Sequence, residues 1–178
     1  DALISELQHY QNKLPLYNLR MSNLSAAVII PQLKELDIRV SSGLSNYDYV
    51  AKKLNKSNFI HVPDALPKET RAPDSIQFNL KDFDDDQMVN DFIENCKHLG
   101  VDVQSFGLSK NNARAFWNWK FIPGPVQNLP KTKKILMRAC DVRLPVSLKR
   151  ADLDFICSTI LEAVNNVKSD YHIRTKNS

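Results

Sequence analysis

Short strand patterns alternate with amphipathic helix patterns in the second half of the chain, and this alternation limits the possible folds more than any other feature. Ser75–Leu80 (SIQFNL) places apolar and polar residues in turn, as a half-buried strand does. Further strands are predicted at Val101–Val103 and Asp141–Leu144, with a helix ending at Gly100 and a closing helix at Ala151–Val167. The order of these elements predicts an α+β fold, in which helices pack on a short three-stranded sheet.

A long helix is predicted ahead of this domain. Met21–Val40 carries apolar residues at helical spacing. Ser22 is suited to cap the helix, because its hydroxyl can accept from an unpaired amide of the first turn. Pro31 lies inside the pattern and lacks an amide donor, so a kink is expected there. The helix is expected to resume at Tyr47–Leu54 after Gly43, which gives a long kinked linking helix.

Charge and hydropathy exclude two classes of partner. The formal net charge is only +4, and 24 basic residues are spread among 20 acidic ones. Lys131–Lys134 (KTKK) is the densest basic cluster, and it falls on a predicted solvated helix face. Nucleic-acid binding needs a concentrated basic surface, so no nucleic acid is expected as a partner. No apolar run approaches the ~20 residues of a membrane span, so no membrane is expected either.

Neither metal chemistry nor nucleophilic catalysis has support in the residue spacing. The three cysteines, Cys96, Cys140 and Cys157, lack paired spacing, which is typical of reduced, buried thiols in a cytoplasmic protein. The four histidines are scattered, and no metal site is predicted. Asp82–Asp86 (DFDDD) lacks the spacing of a calcium loop and is predicted to begin a helix. The chain has no GxSxG motif, and its four glycines form no phosphate-cradling loop.

Two segments carry a resemblance to a known family. Leu16–Asp37 (LYNLRMSNLSAAVIIPQLKELD) and Leu129–Ala163, which contains LPKT, RLP and the closing helix, resemble the C-terminal half of the DegT/DnrJ/StrS sugar aminotransferases. These are fold-type-I enzymes that use pyridoxal phosphate (PLP). The resemblance implies a small C-terminal domain of that fold. It also implies a chain that begins after the family's Schiff-base lysine and therefore carries no catalytic residue.

The same resemblance implies a domain organisation. Residues 1–24 would continue from a missing large PLP-binding domain, residues 25–55 would form the linking helix region, residues 56–168 the small α+β domain, and residues 169–178 a polar tail. The missing large domain and a second copy of the chain, in a homodimer, are the implied protein partners. The missing part would bind most of the PLP.

Tyr17-Asn18-Leu19-Arg20 is the first candidate site. In the family this turn reaches across the dimer interface to the phosphate of the neighbouring subunit's PLP, and the resemblance assigns that contact to Asn18 and Arg20. An amide donor and a guanidinium suit a phosphate dianion. Leu19 departs from the family's usual aromatic residue. The alternative is that Asn18 closes a turn and Arg20 pairs with a surface acid.

Asn112–Lys120 (NARAFWNWK) is the second candidate site, where the family's substrate-facing loop falls. Arg114, Trp117, Trp119 and Lys120 could stack on a sugar ring and hold an anionic substituent. The family's histidine-containing segment is absent, which leaves room for a keto sugar without a nucleotide. The alternative is that Phe116 and the two tryptophans are core aromatics covering the sheet.

The resemblance thus implies the C-terminal portion of a cytoplasmic PLP-dependent aminotransferase, inactive on its own, that moves an amino group from glutamate or glutamine to a keto sugar. Two alternatives stay open. One is a PLP-dependent sugar dehydratase of the same family, in which the Schiff-base lysine is replaced. The other is a non-catalytic α+β interaction domain. The residue at the upstream lysine position would distinguish the aminotransferase from the dehydratase.

Overall fold

A computed structural model of the chain describes residues 21–110 and 112–176, with side chains as far as residue 173. The chain divides into two units, residues 1–37 and 38–178. The helices of the described residues are α1 (Asn23–Leu33), α2 (Leu36–Leu54), α3 (Asp86–His98), α4 (Pro130–Arg138) and α5 (Arg150–Lys176). The strands are β1 (Ile60–His61), β2 (Ser75–Leu80), β3 (Gln104–Ser105) and β4 (Ala139–Arg143).

Helix α1 of the first unit begins as the sequence predicts. The Ser22 hydroxyl accepts a hydrogen bond from the Ser25 amide at 3.0 Å, so Ser22 is the N-cap. The helix contains no buried residue, although its mean hydropathy is high. Its apolar side chains are therefore open to solvent within the described chain.

The break in the linking helix lies later than predicted. Helix α1 continues through Pro31 to Leu33, and the break falls at Lys34 and Glu35. Pro31 has a backbone angle that suits a helix, so losing its amide donor does not end the helix at once. The Glu35 amide instead bonds to the Gln32 carbonyl at 3.1 Å, which closes the last turn tightly.

Gly43 does not interrupt the second helix, so the predicted restart at Tyr47 is wrong. Helix α2 is continuous from Leu36 to Leu54, and Gly43 is buried within it. A Cβ atom at Gly43 would lie 2.7 Å from the Cγ atom of Pro73. The missing side chain therefore lets the 73–75 segment approach the helix, which offsets the unfavourable helix propensity of glycine.

The sheet confirms the predicted α+β class. Its four antiparallel strands lie in the order β1–β2–β4–β3. In the central pair, Ile76 lies opposite Val142 and Phe78 opposite Cys140. The predicted strands at 75–80 and 141–144 correspond to β2 and β4, and β3 begins directly after Val101–Val103. Strand β1, with only two residues, is an addition that no alternating pattern could indicate.

One face of the sheet forms the core with α3 and α5. Ile76, Phe78, Cys140 and Val142 alternate inward along β2 and β4 and are all buried. Phe92 of α3 is fully buried and makes edge-to-face contacts with Phe78 and Phe83, with ring centroids 6.3 and 6.2 Å apart. Helix α5 packs on α3 and adds six buried residues to the same core: Leu153, Cys157, Ile160, Ala163, Val164 and Val167.

The acidic run before α3 is a helix start, as predicted. Asp85 is the N-cap, and its carboxylate accepts from the Met88 amide at 2.8 Å. Asp86 in the first turn also lies 3.6 Å from the guanidinium of Arg138. These acids therefore stabilise the positive end of the helix.

Helix α5 extends further than the predicted closing helix and reaches Lys176, within the segment predicted to be a polar tail. Lys168 donates to the Asp82 carbonyl at 2.7 Å, and its ammonium lies 4.9 Å from the ring centroid of Phe59. The Tyr171 hydroxyl lies 3.3 Å from a carboxylate oxygen of Asp91. Lys168 and Tyr171 thus have partners elsewhere in the domain. These contacts support the part of the helix that follows Val167, its last buried apolar residue.

Replacing Phe92 with alanine is expected to lower the free energy of unfolding by about 3–5 kcal/mol, because the cavity lies where three phenyl rings meet. Denaturant unfolding followed by circular dichroism measures the loss. Phe155→Ala is the matched control, since Phe155 on α5 is 53% exposed. Equal losses for the two variants would contradict this account of the core.

Candidate functional site

The second face of the sheet is polar. The strand alternation that turns Cys140 and Val142 inward places Asp141 on the opposite face. Its cross-strand neighbours are Gln77 on β2 and Gln104 on β3, and both glutamines are exposed. Asp141 itself is only 8% exposed. A carboxylate is thus buried in the middle of a face that otherwise meets solvent.

Residues 106–110 and 112–129 follow β3, and the first of them are anchored where the chain leaves the sheet. The amides of Phe106 and Gly107 donate to the carbonyls of Ala139 and Leu136, each at 3.0 Å. A Cβ atom at Gly107 would lie 2.6 Å from the Cα atom of Met137. Only glycine allows this close approach to α4, so the start of the segment has a fixed position.

A local network then shapes the turn that carries Arg114. The Asn112 side chain accepts from the Arg114 amide at 2.9 Å, in the manner of an Asx-turn. The Asn118 amide group donates to the Asn112 and Ser109 carbonyls at 3.0 and 3.3 Å. Phe116–Asn118 forms a single 3₁₀ turn between these contacts. Two asparagines thus organise a segment that has no regular secondary structure to support it.

The Arg114 guanidinium is held from two sides. It lies 4.4 Å from the ring centroid of Phe106, a cation–π contact, and 3.9 Å from the Oδ2 atom of Asp141. The separation from Asp141 is that of an ion pair, longer than a hydrogen bond. The other Asp141 carboxylate oxygen is buried and has no hydrogen-bond partner within the described residues. Arg114 is therefore the cation that compensates a buried charge, although its own side chain is half exposed.

An apolar cavity of about 390 Å³ opens on one side of Arg114. Its wall includes Phe116, Trp119, Ile122, Leu129 and, from α4, Leu136. Its volume falls in the range of roughly 300–1,000 Å³ that is usual for small-molecule sites. Arg114 is the charged side chain in this wall.

A polar groove of about 440 Å³ lies on the other side of Arg114 and contains two more arginines. Arg143 forms an ion pair with Asp74 at 2.7 Å. Arg71 lies 3.4 Å from the Glu69 carboxylate and donates to the Tyr47 hydroxyl. Both of these guanidinium groups have close partners, whereas the guanidinium of Arg114 makes no hydrogen bond within residues 21–110 and 112–176.

The structure separates the four residues predicted for the second site. Arg114 and Trp119 line the apolar cavity together. Trp117 does not line it; its ring packs edge-to-face on Phe116, with centroids 5.1 Å apart. Lys120 is exposed and lies outside the cavity wall. Asn18 and Arg20, the residues of the first site, lie outside the described residues.

The alternative interpretation of the aromatics as core residues is wrong. Phe116 and Trp117 are only partly buried, Trp119 is 39% exposed, and none of the three belongs to the buried core. Sequence reasoning places Asp141 in a predicted strand and assigns it no role. The alternation along β4 puts it on the polar face, but its contact with Arg114 depends on the tertiary structure.

The cysteines offer no nucleophile. All three are free and buried, as predicted. Burial raises the pKa of Cys157 to about 11 and that of Cys96 to about 12, and it raises the pKa of Cys140 further. Each thiol therefore stays protonated and unreactive at neutral pH. Among the described residues, His, Cys, Asp and Glu side chains form no group that could hold a metal ion.

Comparison with known proteins decides the family. The model of the DegT/DnrJ/EryC1/StrS aminotransferase family matches residues 4–161, nearly the whole chain. The chain belongs to this family. No curated protein matches the chain in sequence. Within the described residues, no helix combines the length and the apolar character needed to cross a bilayer.

Solved structures of similar fold include both aminotransferases and a dehydratase. Aminotransferase TlmJ from Streptoalloteichus hindustanus superposes with a TM-score of 0.66 at 12% identity over 81% of this chain. Sugar aminotransferase CalS13 from Micromonospora echinospora gives a TM-score of 0.61 at 14% identity over 81% of this chain. The Escherichia coli GDP-4-keto-6-deoxy-D-mannose-3-dehydratase, with bound hydrated PLP, gives 0.61 at 20% identity over 83%.

This chain covers little more than a third of each relative: 37% of TlmJ, 36% of CalS13 and 37% of the dehydratase. At these identities the similarity shows the fold. It confirms the small α+β domain of the fold-type-I aminotransferase kind that the sequence predicts.

Replacing Arg114 with glutamine is expected to lower the free energy of unfolding by about 1–3 kcal/mol, because Asp141 is left buried without a cation. The second change in Arg114→Gln/Asp141→Asn should restore most of this loss. Urea unfolding of the single and double variants measures both effects.

Arg143→Gln is the matched control for this cycle. Its partner Asp74 is 66% exposed, so breaking the pair should cost less than about 1 kcal/mol. If the double variant were no more stable than Arg114→Gln, the energetic link between Arg114 and Asp141 would be refuted.

Proposed function

We propose that this chain is the C-terminal portion of a PLP-dependent aminotransferase that moves an amino group from glutamate or glutamine to a keto sugar. The observation that carries the proposal is the family match over residues 4–161 in a chain that covers just over a third of its structural relatives. CalS13, a sugar aminotransferase, shares the fold and supports the substrate class. The large domain, outside this chain, supplies the lysine that bonds the cofactor.

The chemistry of Asn18 and Arg20 fits the phosphate end of PLP. A phosphate dianion needs hydrogen-bond donors without negative charge nearby, and an amide and a guanidinium meet that need. When bound, PLP stabilises negative charge at the carbon atom whose amino group is transferred. In this proposal, Asn18 and Arg20 of one subunit bind the phosphate of the PLP that belongs to the neighbouring subunit. Other residues of the chain form the part of the site that contacts the substrate.

Arg114 and Trp119 are the residues we assign to substrate contact. They share one cavity, where an indole face can stack on a ring and a guanidinium can bind an anionic substituent. Trp117 contacts Phe116, a residue of this wall, and Lys120 is exposed at the end of the segment. The four residues predicted from sequence therefore take unequal roles.

Helix α1 supports the proposed partners. Leu24 is 77% exposed, and Val28, Ile30 and Leu33 are each more than half exposed. A helix with this many solvated apolar side chains is stable when another surface covers it. We assign residues 1–24 to the junction with the large domain and residues 25–55 to the linking region, in a homodimer. The free, buried cysteines suit the cytoplasm.

Sugar dehydration by the same cofactor is the second candidate function. One specific observation favours it: a dehydratase with bound hydrated PLP shares this fold at 20% identity. The two reactions use the same small domain, so the described residues do not discriminate between them. The residue at the lysine position of the large domain does.

In the full-length protein, borohydride treatment is expected to fix PLP covalently to a lysine upstream of this chain. Intact-mass spectrometry under denaturing conditions detects the added mass. The full-length protein should also transfer nitrogen from ¹⁵N-glutamate to a keto sugar, whereas the 178-residue chain alone should not. Transamination by the isolated chain would contradict the need for the large domain. A histidine at the upstream position would contradict the aminotransferase proposal and favour dehydration.

Asn18→Ala in the full-length dimer is expected to weaken PLP retention by about ten-fold, since one charge-assisted hydrogen bond to the phosphate is lost. Dialysis followed by absorbance of the remaining cofactor measures retention. Asn23→Ala, close in sequence but within α1, is the control and should retain PLP like the parent. Unchanged retention in Asn18→Ala would remove this residue from the cofactor site.

A further inference from the structure

Arg114 lies between two cavities, one apolar and one polar. It lines the apolar cavity of about 390 Å³ and also the polar groove of about 440 Å³. No other side chain is common to the two walls within the described residues. A ligand bound by this guanidinium can therefore place one end in an apolar environment and the other in a polar one.

The guanidinium of Arg114 has hydrogen-bond donors to offer. Phe106 supports one face of it at 4.4 Å, and Asp141 attracts it from 3.9 Å, too far for a hydrogen bond. The two neighbouring arginines are already engaged: Arg143 with Asp74 at 2.7 Å, and Arg71 with Tyr47 and Glu69. The Nε atom of Arg71 makes no hydrogen bond either, but it is buried. Arg114 is thus the arginine of this groove whose guanidinium is half exposed and makes no hydrogen bond within the described residues.

The wall of the apolar cavity limits what can be attached to the anion. Its neutral polar side chains are those of Gln127 and Thr132, among seven apolar ones. A ligand with many hydroxyl groups would bury several of them without hydrogen-bond partners, which weakens its binding. An aromatic or aliphatic group instead gains from contact with Trp119, Ile122 and Leu136.

We propose that this site binds an amphipathic anion: a phosphate or carboxylate on Arg114, joined to an aromatic or aliphatic group in the apolar cavity. That this ligand is a non-sugar handle of the enzyme's substrate, with the keto sugar itself outside the apolar cavity, rests on the proposed function. Binding itself does not, because every residue involved belongs to the described chain and none requires PLP.

The two tryptophans make the site directly observable. They are the only ones in the chain, and Trp119 lines the cavity while Trp117 does not. In a ¹H–¹⁵N spectrum of the 178-residue chain, the two indole signals are assigned with Trp117→Phe. Benzyl phosphate and phenylacetate should shift the Trp119 signal saturably. Benzyl alcohol and inorganic phosphate, which each lack one half of the ligand, should bind at least about ten-fold more weakly.

The charge-neutral pair Arg114→Gln/Asp141→Asn tests the anchor without leaving a buried charge. Benzyl phosphate should then bind no more tightly than benzyl alcohol, whose own affinity stays unchanged. Arg143→Gln, which removes an arginine from the groove but not from the cavity, should keep benzyl phosphate affinity within about two-fold, because that arginine is committed to an exposed ion pair. The unfolding midpoint of each variant verifies that the domain is folded.

Each outcome decides. Equal affinity for benzyl alcohol and benzyl phosphate would show a merely apolar pocket, and equal affinity for inorganic phosphate would show a merely basic one; either overturns the proposal, as does the absence of saturable shifts. The order of benzyl phosphate and phenylacetate identifies the anion. Binding in a protein that fails to transaminate would refute the proposed function and leave the site intact. Transamination without binding would refute only the site.

Discussion

Alternation along β2 and β4 divides the sheet into a dry face and a polar face, and the rest of the domain follows from that division. Ile76, Phe78, Cys140 and Val142 need cover from water, which α3 and α5 provide. The residues between them are therefore directed away from the core. A strand of five residues, β4, thus contributes both to the stability of the domain and to its candidate site.

Burying the Asp141 carboxylate in the polar face lowers the stability of the domain. A buried carboxylate with one unpaired oxygen is costly, and the ion pair with Arg114 offsets only part of that cost. An apolar residue at this position would suit the burial better. The arrangement instead fixes a guanidinium at the junction of two cavities, with Phe106 beneath it. If this site binds a ligand as proposed, stability and binding are in conflict at Asp141.

The described residues of the two units differ in how far their apolar side chains are buried. Residues 38–178 bury a continuous core, whereas α1 buries none of its side chains. An exposed apolar helix beside a domain with its own core is consistent with the proposal that another surface covers α1 in the full-length protein. The family match, from residue 4 to residue 161, includes residues of both units.

Local sequence signals were sufficient where the physics is local. The cap at Ser22, the acidic start of α3, the strands β2 and β4 and the start of α5 depend on hydrogen bonds and periodicities within a few residues. The family resemblance likewise rests on contiguous motifs, and it predicted the fold type correctly.

Contacts between distant segments decided the rest. Gly43 looks like a helix break in the sequence but is the point where Pro73 approaches α2. The last turns of α5 form because Lys168 and Tyr171 find partners some 80 residues away in sequence. The sequence around Trp117 and Trp119 does not show which of the two lines the cavity, and only Trp119 does so. The sequence by itself determined which elements form and which family the chain resembles. Only the tertiary structure decided which side chains share a site, because burial and ion pairing depend on what folds over each residue from elsewhere in the chain.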